Sequence, residues 1–469
     1  MQLTKPRYGD LLEVDLEAID ARGRTCGWVE HASGRFKAFV EGAAPGDRVR
    51  ASVIRRRRNE LELRLVELLR RSAQRVEPRC AHFGVCGGCR YQHVEYASQL
   101  ATKREWIARH FQIAGVALDE LRQVAPCATP WRYRNKMDFS FSARRWIAPD
   151  EPEGVDASFA LGLHPREQHS KVLSIEACPI QFDAADGILR DARRLALEQR
   201  LSAWDDRAHV GLLRHLVLRT SRATGEVLVQ LTTSSAAPEL IEPYVRALLE
   251  AQPAITTLVQ CVSERVSSVA GGEQEILWLG AGRLRERLAG LWFEISASAF
   301  FQTNTEQAER LVECALEELS VTRGERVLDL YCGAGAFSLP LARCAGEVLG
   351  VELSERAVLD ARRNAELNGV SNARFECGDA AQWLGASDAS QFDALLVDPP
   401  RAGVHPKALA VLAAARARRL VYVSCNPQSA ARDAAQLALG GWRALRARPV
   451  DLFPHTPHVE CVFTFERRP

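Results

Sequence analysis

Val327-Leu-Asp-Leu-Tyr331-Cys-Gly333-Ala-Gly335 is a short apolar run that breaks into glycine. Such a run suits a buried strand, and two glycines in three positions suit a turn whose backbone must approach something closely. Working outward, the same rhythm returns. Phe337–Cys344 reads as a helix, Glu347-Val-Leu-Gly-Val-Glu-Leu as a strand, Ser354–Asn368 as a helix and Ala373-Arg-Phe-Glu-Cys as a strand. Asp393-Ala-Leu-Leu-Val-Asp and Leu420-Val-Tyr-Val-Ser follow as strands with helices between them. Apolar strands alternating with amphipathic helices specify a parallel sheet covered on both faces, a doubly wound, Rossmann-like α/β fold. The rhythm begins near Thr322, and the domain that carries it is placed at residues 291–469.

Ligands of such sheets sit beyond the carboxyl ends of the strands. Three features fall there in order. The Gly333/Gly335 turn follows the first strand. Glu352 ends the second, where an acid can bind two ribose hydroxyls. Asp379 follows the third, where a short polar side chain can reach an adenine edge. A dinucleotide site needs a third glycine three residues after the second, and Ser338 stands there instead. S-adenosylmethionine has no pyrophosphate, so the shorter glycine turn suits it better.

Asp398-Pro-Pro-Arg401 follows the fourth strand and sets a carboxylate, a rigid turn and a cation beside that pocket. Val421-Tyr-Val-Ser-Cys425-Asn-Pro427 then places a cysteine just past the fifth. A cysteine in a parallel sheet is usually a small hydrophobe, but this one sits where a substrate would approach. One reaction needs this set. Carbon 5 of uracil is too weak a nucleophile to take a methyl group from a sulfonium directly. A thiolate added to carbon 6 turns the ring into an enolate that can, and a base must afterwards remove the carbon 5 proton. Glu460, in Phe453-Pro-His-Thr-Pro-His-Val-Glu460-Cys, is the candidate base, with His455 and His458 as alternatives.

The first 290 residues read as two further units. Residues 1–74 form short alternating strands (Leu11-Leu-Glu-Val-Asp-Leu, Arg35-Phe-Lys-Ala-Phe-Val, Arg48-Val-Arg-Ala-Ser-Val-Ile) separated by glycine turns at Ala21–Gly27 and Glu41–Gly46. A small antiparallel barrel is expected. Residues 1–75 carry sixteen Lys or Arg against eleven Asp or Glu, with Arg55 to Arg58 as a block, which fits a polyanionic partner such as RNA. Residues 75–290 read as a mixed α/β domain with a helix from about Tyr96 to Ala114 that is expected to pack on the catalytic domain. Cys80-x5-Cys86-x2-Cys89, with Cys178-Pro as a distant fourth ligand and Cys127 as the alternative, suits four-thiolate metal ligation. Three clustered cysteines, a remote fourth before proline and neighbouring glycines favour an iron–sulfur cluster over zinc.

The bulk numbers exclude other classes. The apolar run Ala408–Ala415 is far short of a membrane span, and the first residues lack the apolar core of a signal peptide. A cytoplasmic monomer with no membrane or DNA partner is expected. Thirteen cysteines in such a chain point to ligation, catalysis and packing rather than disulfides.

Together these residues resemble the RNA uracil-5-methyltransferase family, and within it the branch acting on 23S ribosomal RNA. The resemblance covers nearly the whole chain. It implies that the first 75 residues form a TRAM barrel, OB-like in shape, and that Ser140–Arg219 belong to a mixed central domain. It implies that Cys80, Cys86, Cys89 and Cys178 bind a [4Fe-4S] cluster. Phe300-Phe-Gln302-Thr-Asn304 matches a cofactor-site signature, which implies that Gln302 contacts S-adenosylmethionine. By the same matching Tyr331, Gly333, Gly335, Glu352, Asp379 and Asp398 line the cofactor pocket, Cys425 is the nucleophile and Glu460 the base. At Ala336 the ribosomal enzymes commonly carry Asn, so one side-chain contact to the cofactor is missing here. The Asp398-Pro-Pro-Arg form also occurs in relatives acting on other uridines, which leaves the target position open, and some cluster-containing relatives act on tRNA. A tRNA-modifying branch generally lacks both barrel and cysteine cluster, so their presence favours ribosomal RNA.

Two rival classes compete with this reading. An iron–sulfur oxidoreductase would need a flavin or nicotinamide site, against which the missing third glycine counts. A non-catalytic RNA-binding assembly factor would leave Cys425 and Glu460 without a task.

Overall fold

The structure, a computed structural model, describes residues 5–20, 23–265, 271–387 and 389–467. Part of the N-terminal reading and part of the expected turn at 21–27 lie outside the described residues. Among the described residues no helix is long and apolar enough to cross a membrane.

Five strands, Leu11–Ile19, Thr25–His31, Gly34–Glu41, Arg48–Arg57 and Glu60–Arg70, close into a barrel. Alternation drives it: Val14, Val29, Phe36, Val49 and Leu61 point inward and are buried, while the residues between them face out. The barrel is not wholly antiparallel as expected. Four pairings are antiparallel, and Gly34–Glu41 runs parallel to Glu60–Arg70. An odd number of strands in a closed ring cannot alternate direction all the way round, so one parallel pair is unavoidable.

A seven-stranded mixed sheet follows, in the order Gln274–Leu279, Thr257–Val262, Val227–Thr233, Leu213–Thr220, Lys136–Ser142, Ala160–Leu163 and Leu173–Ser174. Helices Asp183–Glu198 and Pro238–Ala251 share its core through Ile188, Leu189, Ile241 and Tyr244.

The eight-stranded sheet runs Ala373–Cys377, Glu347–Glu352, Arg326–Leu330, Ala394–Val397, Arg419–Ser424, Glu460–Arg467, Trp442–Val450 and Leu118–Leu121. Its first five strands are parallel, as the alternation of strands and helices requires. Glu460–Arg467 then inserts antiparallel between Arg419–Ser424 and Trp442–Val450. The edge strand Leu118–Leu121 comes from the first third of the chain. Just before it, helix Tyr96–Ile113 packs on helix Pro427–Leu439, with Ile107 and Phe111 in the same core as Ala430 and Phe463.

Candidate active site

At the carboxyl end of strand Arg326–Leu330 the chain turns sharply. Tyr331, Gly333 and Gly335 all take positive φ, 65°, 54° and 86°. Glycine adopts this freely; tyrosine does so only when its surroundings hold it there. The Gly333 amide donates to Glu352 Oε2 (3.1 Å) and the Ser354 amide to Glu352 Oε1 (2.8 Å), which fixes that carboxylate against the glycine turn. Asp379 caps helix Ala380–Ala386, its Oδ1 accepting from the Ala381 and Gln382 amides at 3.0 Å each. Ala336 packs on the core beneath the turn. Asp329 is fully buried, accepts a bond from the Ser338 hydroxyl, and is pushed up to about 8 by burial. Asp398 and Glu352 add to that shift, so acidic groups crowd this edge.

The segment carrying Gln302 is tied down from two sides. Asn135 of the central sheet donates its side-chain amide to the Gln302 carbonyl (3.0 Å) and to Thr305 Oγ1 (2.8 Å). Asn304 caps helix Thr305–Leu319 and donates to the Leu452 carbonyl (3.1 Å). Sequence spacing alone does not reveal Gln302, which came from the resemblance. The signal for Asn304 was available as an Asn followed three residues later by Gln307, a capping pattern.

The reactive residues meet one strand further on. Ser424 pairs with Cys461 at the last rung of the antiparallel ladder, and Cys425 follows Ser424 on one strand as Glu460 precedes Cys461 on the other. Asn426 accepts from the Gln428 amide (3.1 Å) and caps helix Pro427–Leu439, so the Asn-Pro pair ends the strand and starts the helix behind Cys425. The Asn426 side chain also donates to the Arg401 carbonyl (3.0 Å), placing the Asp398–Arg401 turn alongside. Glu460 is 6% exposed and burial pushes its carboxyl up to about 7. Burial lifts the Cys425 thiol to about 11; the charges of Glu460 and Asp398 add to this and Arg401 opposes it. Asp398 is held well above the carboxylate range by burial and by Glu460. Three acidic groups on three neighbouring strand ends thus share one desolvated patch.

The two histidines have different surroundings. His455, at φ 66°, stacks on Trp131 with ring centroids 4.0 Å apart, and its carbonyl accepts from the Arg90 and Tyr91 amides. His458 lies edge-on to Phe453. Burial pushes both imidazoles down to about 4.

Cys80, Cys86, Cys89 and Cys178 line one cavity of about 350 Å³ in the central domain, together with Gly87 and Gly88. Cys127 lies elsewhere, bonded to the Thr129 carbonyl and to Asn304. All the cysteines are free thiols, and burial raises Cys89 to about 12 and Cys178 to about 11. Among the described residues no group of three or more His, Cys, Asp or Glu is arranged to hold a metal ion. The cluster expected from the spacing is therefore not visible in the side-chain geometry. On the barrel, Arg55 to Arg58 are all exposed.

Comparison with known proteins bears on this arrangement. The family model described as tRNA (Uracil-5-)-methyltransferase matches residues 283–468. An RNA methyltransferase of Chlorobaculum tepidum is 38% identical over 472 residues, covering 98% of this chain and 97% of that protein. One from Bacillus cereus is 33% identical over 469 residues, covering 99% and 98%. The crystal structure of Pyrococcus abyssi tRNA (uracil-54, C5)-methyltransferase, in complex with S-adenosyl-L-homocysteine, is similar with a TM-score of 0.75 and 28% identity. That likeness covers 97% of this chain and 100% of the other.

Proposed function

We propose a reaction and a target for a chain that belongs to the RNA uracil-5-methyltransferase family. Its activity is S-adenosylmethionine-dependent methylation of RNA at carbon 5 of uracil. The finer proposal is a covalent route on ribosomal RNA, and the observation that carries the covalent route is Cys425 just past the Ser424–Cys461 rung, with Glu460 and Asp398 near enough that their charges raise its thiol.

S-adenosylmethionine, when bound, supplies an electrophilic methyl group on a sulfonium. Glu352 at the glycine turn suits its ribose, Asp379 its adenine edge, and Gln302, Tyr331, Gly333, Gly335 and Asp398 complete the pocket. The Cys425 sulfur bonds to carbon 6 of the uracil, breaking the ring's 5,6 double bond and making carbon 5 nucleophilic. After carbon 5 is methylated, Glu460 removes its remaining proton. The double bond re-forms, the carbon–sulfur bond breaks and Cys425 leaves as a thiolate. A carboxyl near 7 suits a base working at neutral pH. The thiol is neutral at rest, so its proton must leave as the base enters the site.

The barrel's exposed arginines suit contact with the RNA backbone. Cys80, Cys86, Cys89 and Cys178 match a [4Fe-4S] cluster in kind and number and share one cavity. Held there, the cluster would tie residue 178 to the 80–89 segment, and no step of methyl transfer needs it. A cytoplasmic, monomeric enzyme belongs to the same proposal.

A tRNA uridine is the second reading, favoured by the Pyrococcus abyssi enzyme's likeness across the whole chain. Mapping 5-methyluridine in ribosomal and transfer RNA from a strain lacking this gene separates the two. Loss confined to a ribosomal RNA position supports the first reading, and loss confined to tRNA overturns it.

A further inference from the structure

Helix Tyr96–Ile113 buries two polar side chains that the reaction above does not use. Gln99 and Lys103 are both 0% exposed and stand four residues apart, hence on one face. Placing an amide and an ammonium wholly out of water is costly unless each is fully partnered, and both find partners in a single segment. Lys103 Nζ donates to Asp451 Oδ1 (2.6 Å) and to the Phe453 carbonyl (3.0 Å). Tyr96, on the same helix, donates to Asp451 Oδ2 (2.8 Å). Gln99 Oε1 accepts from the His455 amide (2.9 Å), while its Nε2 donates to the carbonyls of Tyr91 (3.0 Å) and Val94 (2.8 Å). Tyr133 donates to the Pro454 carbonyl (3.1 Å).

Four residues, Thr456 to Val459, connect the 451–455 turn to the strand whose first residue is Glu460. His455 holds a left-handed backbone with no glycine to ease it, a conformation that persists only where the surroundings over-determine it. Lys103 grips the start of the turn and Gln99 its far end.

We propose that Gln99 and Lys103 are positioning residues for Glu460: by clamping the 451–455 turn from one helix face, they fix where the carboxylate stands when it takes the carbon 5 proton. This rests on the reading of Glu460 as the base. The clamp also joins the segment after Cys89 to the catalytic sheet, because the Arg90 and Tyr91 amides donate to the same His455 carbonyl (2.8 and 3.0 Å).

The test uses the full chain, labelled S-adenosylmethionine and total RNA from a strain lacking this gene, in single turnover. Gln99→Met keeps the side-chain length and removes its hydrogen bonds. Lys103→Met with Asp451→Leu removes the ion pair as a unit, so that no buried charge is stranded. Glu460→Gln is run beside them. The clamp predicts first-turnover methyl transfer within about threefold of the parent. It also predicts release slowed at least about tenfold, since small misplacements of a reacting group are costly. A denaturant-stable, methyl-labelled protein–RNA adduct then builds up, read well below the melting midpoint of each variant. If Glu460→Gln traps adduct while Gln99→Met and the double variant release product at the parental rate, the clamp is refuted alone. Equal slowing of transfer and release, with a lowered melting midpoint, also refutes it, since the two residues then only support the fold. If Glu460→Gln binds RNA and cofactor yet traps no adduct, the base assignment fails and the clamp falls with it.

Discussion

Glu460→Gln should remove turnover and at the same time make the protein more stable. The carboxyl is 6% exposed, and burial alone raises it from 4.5 to about 7. Its folded value lies above its unfolded value, so folding favours the neutral form. That favour is fully present below the unfolded value and is lost as pH rises through the folded one. The two values differ by about 2.5 pH units, and at about 1.4 kcal/mol per unit the ionised carboxylate costs the fold about 3 kcal/mol once pH exceeds 7. Glutamine keeps the shape and discards the charge. Its gain should be below about 1 kcal/mol at pH 5 and about 3 kcal/mol at pH 8. Urea unfolding followed by tryptophan fluorescence at the two pH values, with an unchanged denaturant slope, measures this. A gain independent of pH, or a loss at pH 8, would refute the reasoning: it would mean that the folded protein solvates the carboxylate instead of holding it poised near neutrality.

Three other outcomes are expected. Cys425→Ala should abolish methylation and adduct formation while RNA and cofactor still bind, checked by filter binding and label transfer; residual turnover would move the nucleophile elsewhere. Replacing Arg55 to Arg58, all exposed, by Ala should weaken RNA binding and lower the slope of log affinity against log salt by about 0.7–0.9 for each phosphate no longer neutralised; an unchanged slope would leave the block as a solvated face. Anaerobically purified protein should be brown with about four irons per chain, and Cys86→Ala should lower the melting midpoint of the central domain; stoichiometric zinc without iron would overturn the cluster.

How much of the fold and site is legible in the sequence follows from the range of each interaction. The parallel strands Arg326–Leu330, Ala394–Val397 and Arg419–Ser424 are readable because each signals itself locally, as an apolar run closed by a turn residue. Cys425 and Glu460 are readable from chemistry, since one reaction needs both types, but nothing local predicts that they lie together. Their proximity depends on Glu460–Arg467 inserting antiparallel beside Arg419–Ser424, a pairing that periodicity does not encode. The barrel's parallel pair escapes for a related reason: alternation describes each strand alone, whereas closure is a property of all five. Gln99 and Lys103 escape because a Gln and a Lys one helical turn apart read as a solvent face, and only the distant Asp451–His455 segment makes that face interior.

The position of strand Glu460–Arg467 inside its sheet has a consequence for how the molecule is made. On the ribosome it emerges after its seven companions, yet its place lies between two of them. The edge strand Leu118–Leu121 must also wait for its neighbour: Glu120 and its ion-pair partner Arg446 are 326 residues apart in sequence. At synthesis rates of about 5–20 residues per second that wait lasts tens of seconds. Barrel and central sheet can fold during this interval, while the catalytic sheet stays open along the ladder that ends at Ser424 and Cys461, beside Cys425. Nascent chains should therefore acquire RNA affinity well before they acquire a reactive centre, and the last strand to arrive carries the base that lets product go.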